Sequence, residues 1–177
     1  MKLSYSKQMR DADNTAIYVI GVPSTLLMTN AAGHVARAAA ELLNGKKSAV
    51  IFCGSGNNGG DGIASALYLM RRGISVRVFL VGSREKMTPD TKEMEHRLIE
   101  LGGSLEDFDP EMPGIEKLLR EAGVIIDAMF GIGLNKDLRG NALKAVELIN
   151  NSGTPVVSAD IASGVEADTG RILGDAV

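Results

Sequence analysis

Residues 54–62 read Gly-Ser-Gly-Asn-Asn-Gly-Gly-Asp-Gly, five glycines in nine positions, and they follow directly on the apolar run Ser48-Ala49-Val50-Ile51-Phe52-Cys53. Few folds tolerate so little side chain immediately after a buried strand. Glycine permits positive φ and lets an anion or a ring approach the main chain, while the amides opening a following helix point at that ligand. The stretch contains G-x-G-x-x-G at Gly54, Gly56 and Gly59, the pattern of a dinucleotide-binding turn. A dehydrogenase also places an acidic residue at the end of the next strand, to hold the ribose hydroxyls. Here that strand ends Phe79-Leu80-Val81-Gly82-Ser83-Arg84, with Glu85 only beyond it.

Four β-like runs are expected, Lys47–Cys53, Ser75–Val81, Val124–Met129 and Pro155–Ala159, each short, rich in Val, Ile or Phe and closed by a glycine-bearing turn. Several lack polar alternation, as strands of a parallel sheet do when both faces are covered. Helical patterns lie between them. Pro23-Ser24 opens one that Asn44-Gly45 closes, Thr88-Pro89 caps another, and Ile115, Leu118, Leu119 and Ala122 and then Leu143, Val146 and Ile149 mark two more. The reading is a three-layer, Rossmann-like α/β domain, a parallel sheet with helices on both faces and two N-terminal helices. At 177 residues the chain holds one sizeable core.

A formal charge of −3 and the absence of any Lys/Arg block argue against nucleic acid and anionic membranes as partners. Residues 1–8 lack the apolar core of a signal peptide and no run reaches the length of a membrane span, so a cytoplasmic location is expected. Cys53 reads as inert packing at a strand end, and His34 and His96 sit in helical patterns without zinc-ligand spacing.

In a parallel α/β sheet, ligands collect at the carboxyl ends of the strands. Three loops there carry chemistry. Asn57, Asn58 and Asp61 bring amide and carboxylate oxygens into the first. The second, Asp127 to Gly140, begins with an aspartate on an apolar strand, which needs a hydrogen-bonding partner, an ion pair or a cation. The third, Ser158 to Gly170, carries Asp160 and Ser163. Carboxylates converging on one cleft repel unless a cation or a proton is held among them. Asn58, Asp127 and Ser163 supply oxygens from three loops with one firm charge, a set better suited to a monovalent ion than to magnesium.

Together "QMRDADNTAI" (8–17), "GVPSTLLMTNAAG" (21–33), "CGSGNNGGDG" (53–62), "DAMFGIGLNKDLRG" (127–140) and "SADIASGVEADTGRILGDAV" (158–177) resemble the NAD(P)HX epimerase family, also called the YjeF N-terminal domain. The resemblance implies an isomerase that interconverts the R and S forms of hydrated nicotinamide cofactor, NADHX or NADPHX, so that a dehydratase selective for one of them clears both. It implies that Asn57, Asn58, Gly59, Gly60 and Asp61, then Gly131, Ile132, Gly133, Leu134, Asn135, Lys136 and Asp137, and also Asp160, contact that substrate. It implies K+ as cofactor on Asn58, Asp127 and Ser163. Epimerising a carbinolamine carbon wants a positioned acid/base group, for which Asp160 is the candidate.

Further expectations are a homodimer built on the N-terminal helices and coupling to a dehydratase domain. The resemblance covers 1–177 as a single domain that stops short of the family's last C-terminal segment; Thr29 stands where the family usually has an acidic residue, and Ala162 where it often has proline. Two other classes compete: a non-catalytic nucleotide-binding or scaffold module of the same fold, and an ordinary dehydrogenase. A scaffold has no physical need for Asn58, Asp61, Asp127, Asp160 and Ser163 together, and a dehydrogenase lacks its ribose carboxylate here.

Overall fold

The computed structural model describes residues 4–177; residues 1–3, part of the N-terminal stretch read for a leader, lie outside it. The elements are helix α1 (Ser6–Asn14), a π-helical turn (Thr15–Val19), α2 (Ser24–Leu42), β1 (Ser48–Cys53), α3 (Asn57–Arg71), β2 (Ser75–Leu80), α4 (Pro89–Glu100), β3 (Leu105–Asp107), α5 (Ile115–Glu121), β4 (Val124–Ala128), α6 (Asn141–Asn151) and β5 (Val156–Ser158). All strand pairs are parallel, in the order β3-β2-β1-β4-β5. The winding reverses between β1 and β4, and the loops leaving these two strands diverge to form a crevice.

Alternate residues of the central strand serve the two faces. Ile51 and Cys53 pack with α2, α3 and α4, while Val50 and Phe52 pack with α5 and α6. On the second face Phe52, Phe79 and Phe108 form a ring cluster with centroids 5.4 to 6.2 Å apart, tilted or edge-on as aromatic quadrupoles favour. The parallel sheet with helices on both faces and the two N-terminal helices are as the sequence predicts. The fifth strand is not among the four expected. β3 is three residues long, Leu105-Glu106-Asp107, and pairs on one side only, so it needs neither a long apolar run nor burial of both faces.

The glycine-rich stretch differs from its expected form. Asn57 to Gly62 already belong to α3, and none of Gly54, Gly56, Gly59, Gly60 and Gly62 has positive φ. Four of these glycines are required by packing. A Cβ on Gly54 would overlap the Met129 carbonyl oxygen, and one on Gly59 would overlap the Gly54 carbonyl oxygen. On Gly60 it would strike Met28 and Thr91, and on Gly62 the side chains of Ala128 and Cys53. The start of α3 is thereby pressed onto the ends of β1 and β4. Gly56 alone has open space around it.

Gly59→Ala must push backbone against backbone, so it is expected to cost about 3 kcal/mol. Gly56→Ala, at the N-cap of α3, is expected to cost about 1 kcal/mol at most. Denaturant unfolding of the two variants checks the contrast, and equal costs would refute the packing account.

Candidate functional site

Asp127 is fully buried on β4, beside Phe52 of β1 and Ser158 of β5. Its carboxylate accepts four hydrogen bonds. Oδ1 takes the Ser163 hydroxyl at 2.6 Å and the Met129 N–H at 3.3 Å, and Oδ2 takes the Ser163 N–H at 2.8 Å and the Ser158 hydroxyl at 3.1 Å. Burial pushes this carboxyl up, and the Ser163, Met129 and Ser158 donors pull against that. The Ser163 oxygen also accepts the Phe130 N–H at 2.9 Å, which ties the loop after β5 to the loop after β4.

Above this network lies a cleft of about 1090 Å³, large enough for a dinucleotide. Asn57, Asn58 and Asp61 border it from α3, Gly131 to Lys136 from the loop after β4, and Asp160 from the loop after β5. Buried Gly59, Gly60, Asp127 and Ser163 and exposed Asp137 are not among its lining residues. The Asn58 side chain carries a buried nitrogen and a buried oxygen, both without a hydrogen-bond partner. Such orphaned groups cost stability and mark a place where something else supplies the partner. Among the described residues no cluster of three His, Cys, Asp or Glu side chains has metal-binding geometry.

Two carboxylates in the cleft behave differently. Exposed Asp160 accepts the Ile132 N–H at 2.8 Å through Oδ2, and Gly131 carries no Cβ because that carboxylate occupies the space. Half-buried Asp61 makes no side-chain hydrogen bond to any described residue; its carbonyl oxygen accepts the Ser65 hydroxyl. Burial, then the negative charges of Asp160 and Asp13, push its carboxyl up to about 7. Burial, then Asp127 and Asp61, push the Cys53 thiol up as well, which leaves it an inert core group.

Sequence reasoning gave α1 a part in a dimer contact and none in the site, yet Met9, Arg10 and Asp13 border the cleft from it. The helix is seated by Asp168, whose Oδ1 accepts the Ser6 N–H at 2.6 Å and the Ser6 hydroxyl at 2.7 Å; these two bonds, chiefly, lower the Asp168 carboxyl. The segment 8–17 was a usable signal, since it holds Met9, Arg10 and Asp13. Ser55, Ser83, Lys86, Arg139 and Asn141 also face the cleft and were not singled out.

The fold and cleft define a doubly wound α/β domain with a dinucleotide-sized site at its switch point. A family model described as YjeF-related protein N-terminus matches residues 24–177, and the chain belongs to that family. It is 38% identical to the NAD(P)H-hydrate epimerase of Oenococcus oeni, over 97% of this chain and 79% of that one. It is 42% identical to the Bifunctional NAD(P)H-hydrate repair enzyme Nnr of Thermofilum pendens; the match spans all of this chain and only 34% of that relative's length. A crystal structure of the yeast protein YNL200c superposes with a TM-score of 0.86 at 28% identity, covering 100% of this chain and 77% of that one.

Two outcomes are expected. Asp127→Asn sets an NH2 against a buried donor and should cost about 1–3 kcal/mol in denaturant unfolding. Asp61 holds its proton more tightly folded than unfolded, so folding stability is full below pH about 4 and declines as pH rises toward about 7. Asp61→Asn should therefore melt higher than the parent at pH 8, by a few degrees, and alike at pH 4. A pH-independent difference would contradict the shift.

Proposed function

We propose that this chain is an isomerase acting on hydrated nicotinamide cofactor, interconverting the R and S forms of NADHX or NADPHX in the service of cofactor repair. The observation that carries the proposal is the cleft at the switch point, bordered by Asn57, Asn58, Asp61, the 131–136 loop and Asp160, in a chain whose relatives in Oenococcus oeni and Limosilactobacillus reuteri are called NAD(P)H-hydrate epimerases. Asn57 to Asp61 and the loop from Gly131 to Asp137 form the substrate site, with Asp160 as the acid/base group at its edge. Asp160 holds Ile132 in place through one oxygen while Oδ1 remains available to the substrate.

Potassium is part of this reading. The donors present fit a monovalent cation: an orphaned carbonyl oxygen on Asn58, a buried carboxylate on Asp127 and the buried hydroxyl oxygen of Ser163 bonded to it. The ion supplies positive charge against Asp127 and leaves the proton chemistry to the side chains. The chain's residues bind and orient the cofactor, and the carbinolamine carbon exchanges its hydroxyl between faces.

Coupling to a dehydratase is proposed on chemical grounds, since an epimerase is useful only beside an enzyme that consumes one form, and two relatives carry the bifunctional repair name. The exposed run Tyr18-Val19-Ile20 at the end of the π-helical turn is a candidate homodimer contact. A cytoplasmic setting follows from the substrate pool; among the described residues no helix is long and apolar enough to cross a membrane.

The test starts from chromatographically separated epimers. The parent protein should equilibrate them well above the uncatalysed rate, more slowly when potassium is replaced by tetramethylammonium, with a matching drop in melting temperature. Identical behaviour in both salts would remove the ion from the proposal. Calorimetry should show hydrated cofactor binding more tightly than NAD⁺, and hydride transfer to a carbonyl substrate would replace the epimerase reading with a dehydrogenase.

A further inference from the structure

Three carboxylates reach the cleft from three separate elements, Asp13 from α1, Asp61 from α3 and Asp160 from the loop after β5. Their surroundings differ. Asp13 and Asp160 are exposed, and Asp160 has a backbone donor in Ile132. Asp61 is half-buried, faces the cleft and has no donor to its carboxylate among the described residues. It is also the most firmly placed of the three. On either side of it Gly60 touches Met28 and Thr91 and Gly62 touches Ala128 and Cys53, so its Cα is wedged between helices and sheet. Such a group is built to hold a proton at a fixed point rather than to anchor a loop.

We infer that Asp61 and Asp160 divide the proton chemistry of this cleft, Asp61 delivering a proton to the departing hydroxyl and Asp160 taking one from the returning water; this rests on the epimerase reading. In the step, the Asp61 proton moves to the hydroxyl oxygen on the carbinolamine carbon and the C–O bond breaks. Its electron pair leaves as water, and the ring-nitrogen lone pair forms a C=N bond. Water then adds to either face of the planar cation, the C=N pair returns to nitrogen, and the surplus proton passes to the Asp160 carboxylate. Transfer from Asp160 to Asp61 through water restores the start. Nothing is oxidised or reduced.

The elevated proton affinity of Asp61 supports this ordering. Its carboxyl is pushed up to about 7 because it is partly desolvated and sits near Asp160 and Asp13, which suits a group that carries a proton to a hydroxyl near neutral pH. The other charged groups bordering the cleft are Arg10 on α1, Lys86 between β2 and α4, and Lys136 and Arg139 between β4 and α6.

The experiment measures kcat, KM and the pH profile of epimer equilibration for the parent, Asp61→Asn, Asp160→Asn and Asp13→Asn, all in potassium buffer. The parent kcat should fall above a bend near pH 7, where the donor ionises. Asp61→Asn should lose at least about 10²-fold in kcat with KM little changed, and its bend should vanish. Asp13→Asn, at an exposed position that does not threaten folding, should move the bend to lower pH, because one repelling charge is gone. A purely structural Asp61 would leave that bend in place. An Asp61→Asn enzyme with the parent kcat, or a bend unmoved in Asp13→Asn, overturns the assignment while the epimerase reading stands. A parent that fails to equilibrate the epimers overturns both.

Discussion

The buried carboxylate of Asp127 is the constraint on which the site depends. Desolvating a carboxylate costs several kcal/mol, and the fold offsets it with four donors drawn from the end of β4, from β5 and from the loop beyond β5. Two belong to Ser163, so the loop carrying Asp160 is fixed by the residue three positions further on. The same serine accepts the Phe130 N–H, and its carbonyl oxygen accepts the Val177 N–H at 3.0 Å. The C-terminal strap is folded back onto this point: Gly164 packs against the backbone of Asp175 and Ala176, and Leu138 N–H donates to the Leu173 carbonyl. One charge in the sheet therefore sets the relative positions of two loops that border the cleft.

Much of this was legible in the sequence because it follows from patterns with physical causes. Unalternated apolar runs at 48–53 and 124–128 are what central parallel strands require, and Asp127 interrupting the second run announced a carboxyl in need of a partner. The cap at Thr88, whose side chain accepts the Thr91 N–H, follows from Thr-Pro at a helix start. What the pattern conceals is the reason for the glycines. A glycine-rich run after a strand looks like a flexible loop under a ligand, whereas here most of the run is the first turns of a helix and its missing side chains make room for the protein's own backbone and core. Composition registers the absence of a Cβ without saying what fills the space.

The contribution of α1 was hidden for a different reason. Its residues between Lys7 and Asn14 are exposed, so no apolar periodicity ties the helix to the core. It is held by the polar contact from Ser6 to Asp168, 162 positions apart in the chain, and such a pairing leaves no local trace. Strand β3 escaped for a related reason, since a short edge strand that includes Glu106 and Asp107 pairs through its backbone, and Glu106 is engaged by Arg77 on the neighbouring strand.

The charges around the cleft connect these pieces. The chain carries a net −3, yet Arg10, Lys86, Lys136 and Arg139 border the cleft and form no ion pair among the described residues. Unpaired cations at a concave surface raise the local potential for a ligand bearing several negative charges, as the phosphates of a dinucleotide do. The carboxyls of Asp13, Asp61 and Asp160 border the same cleft, so charges of both signs face it. A scaffold surface gains nothing from leaving both kinds of charge uncompensated, and the repulsion among the three aspartates is a standing cost to folding at neutral pH. The fold tolerates that cost because the Asp127 network and the interlocked glycines of α3 hold the first and third loops in place independently of the charges they present.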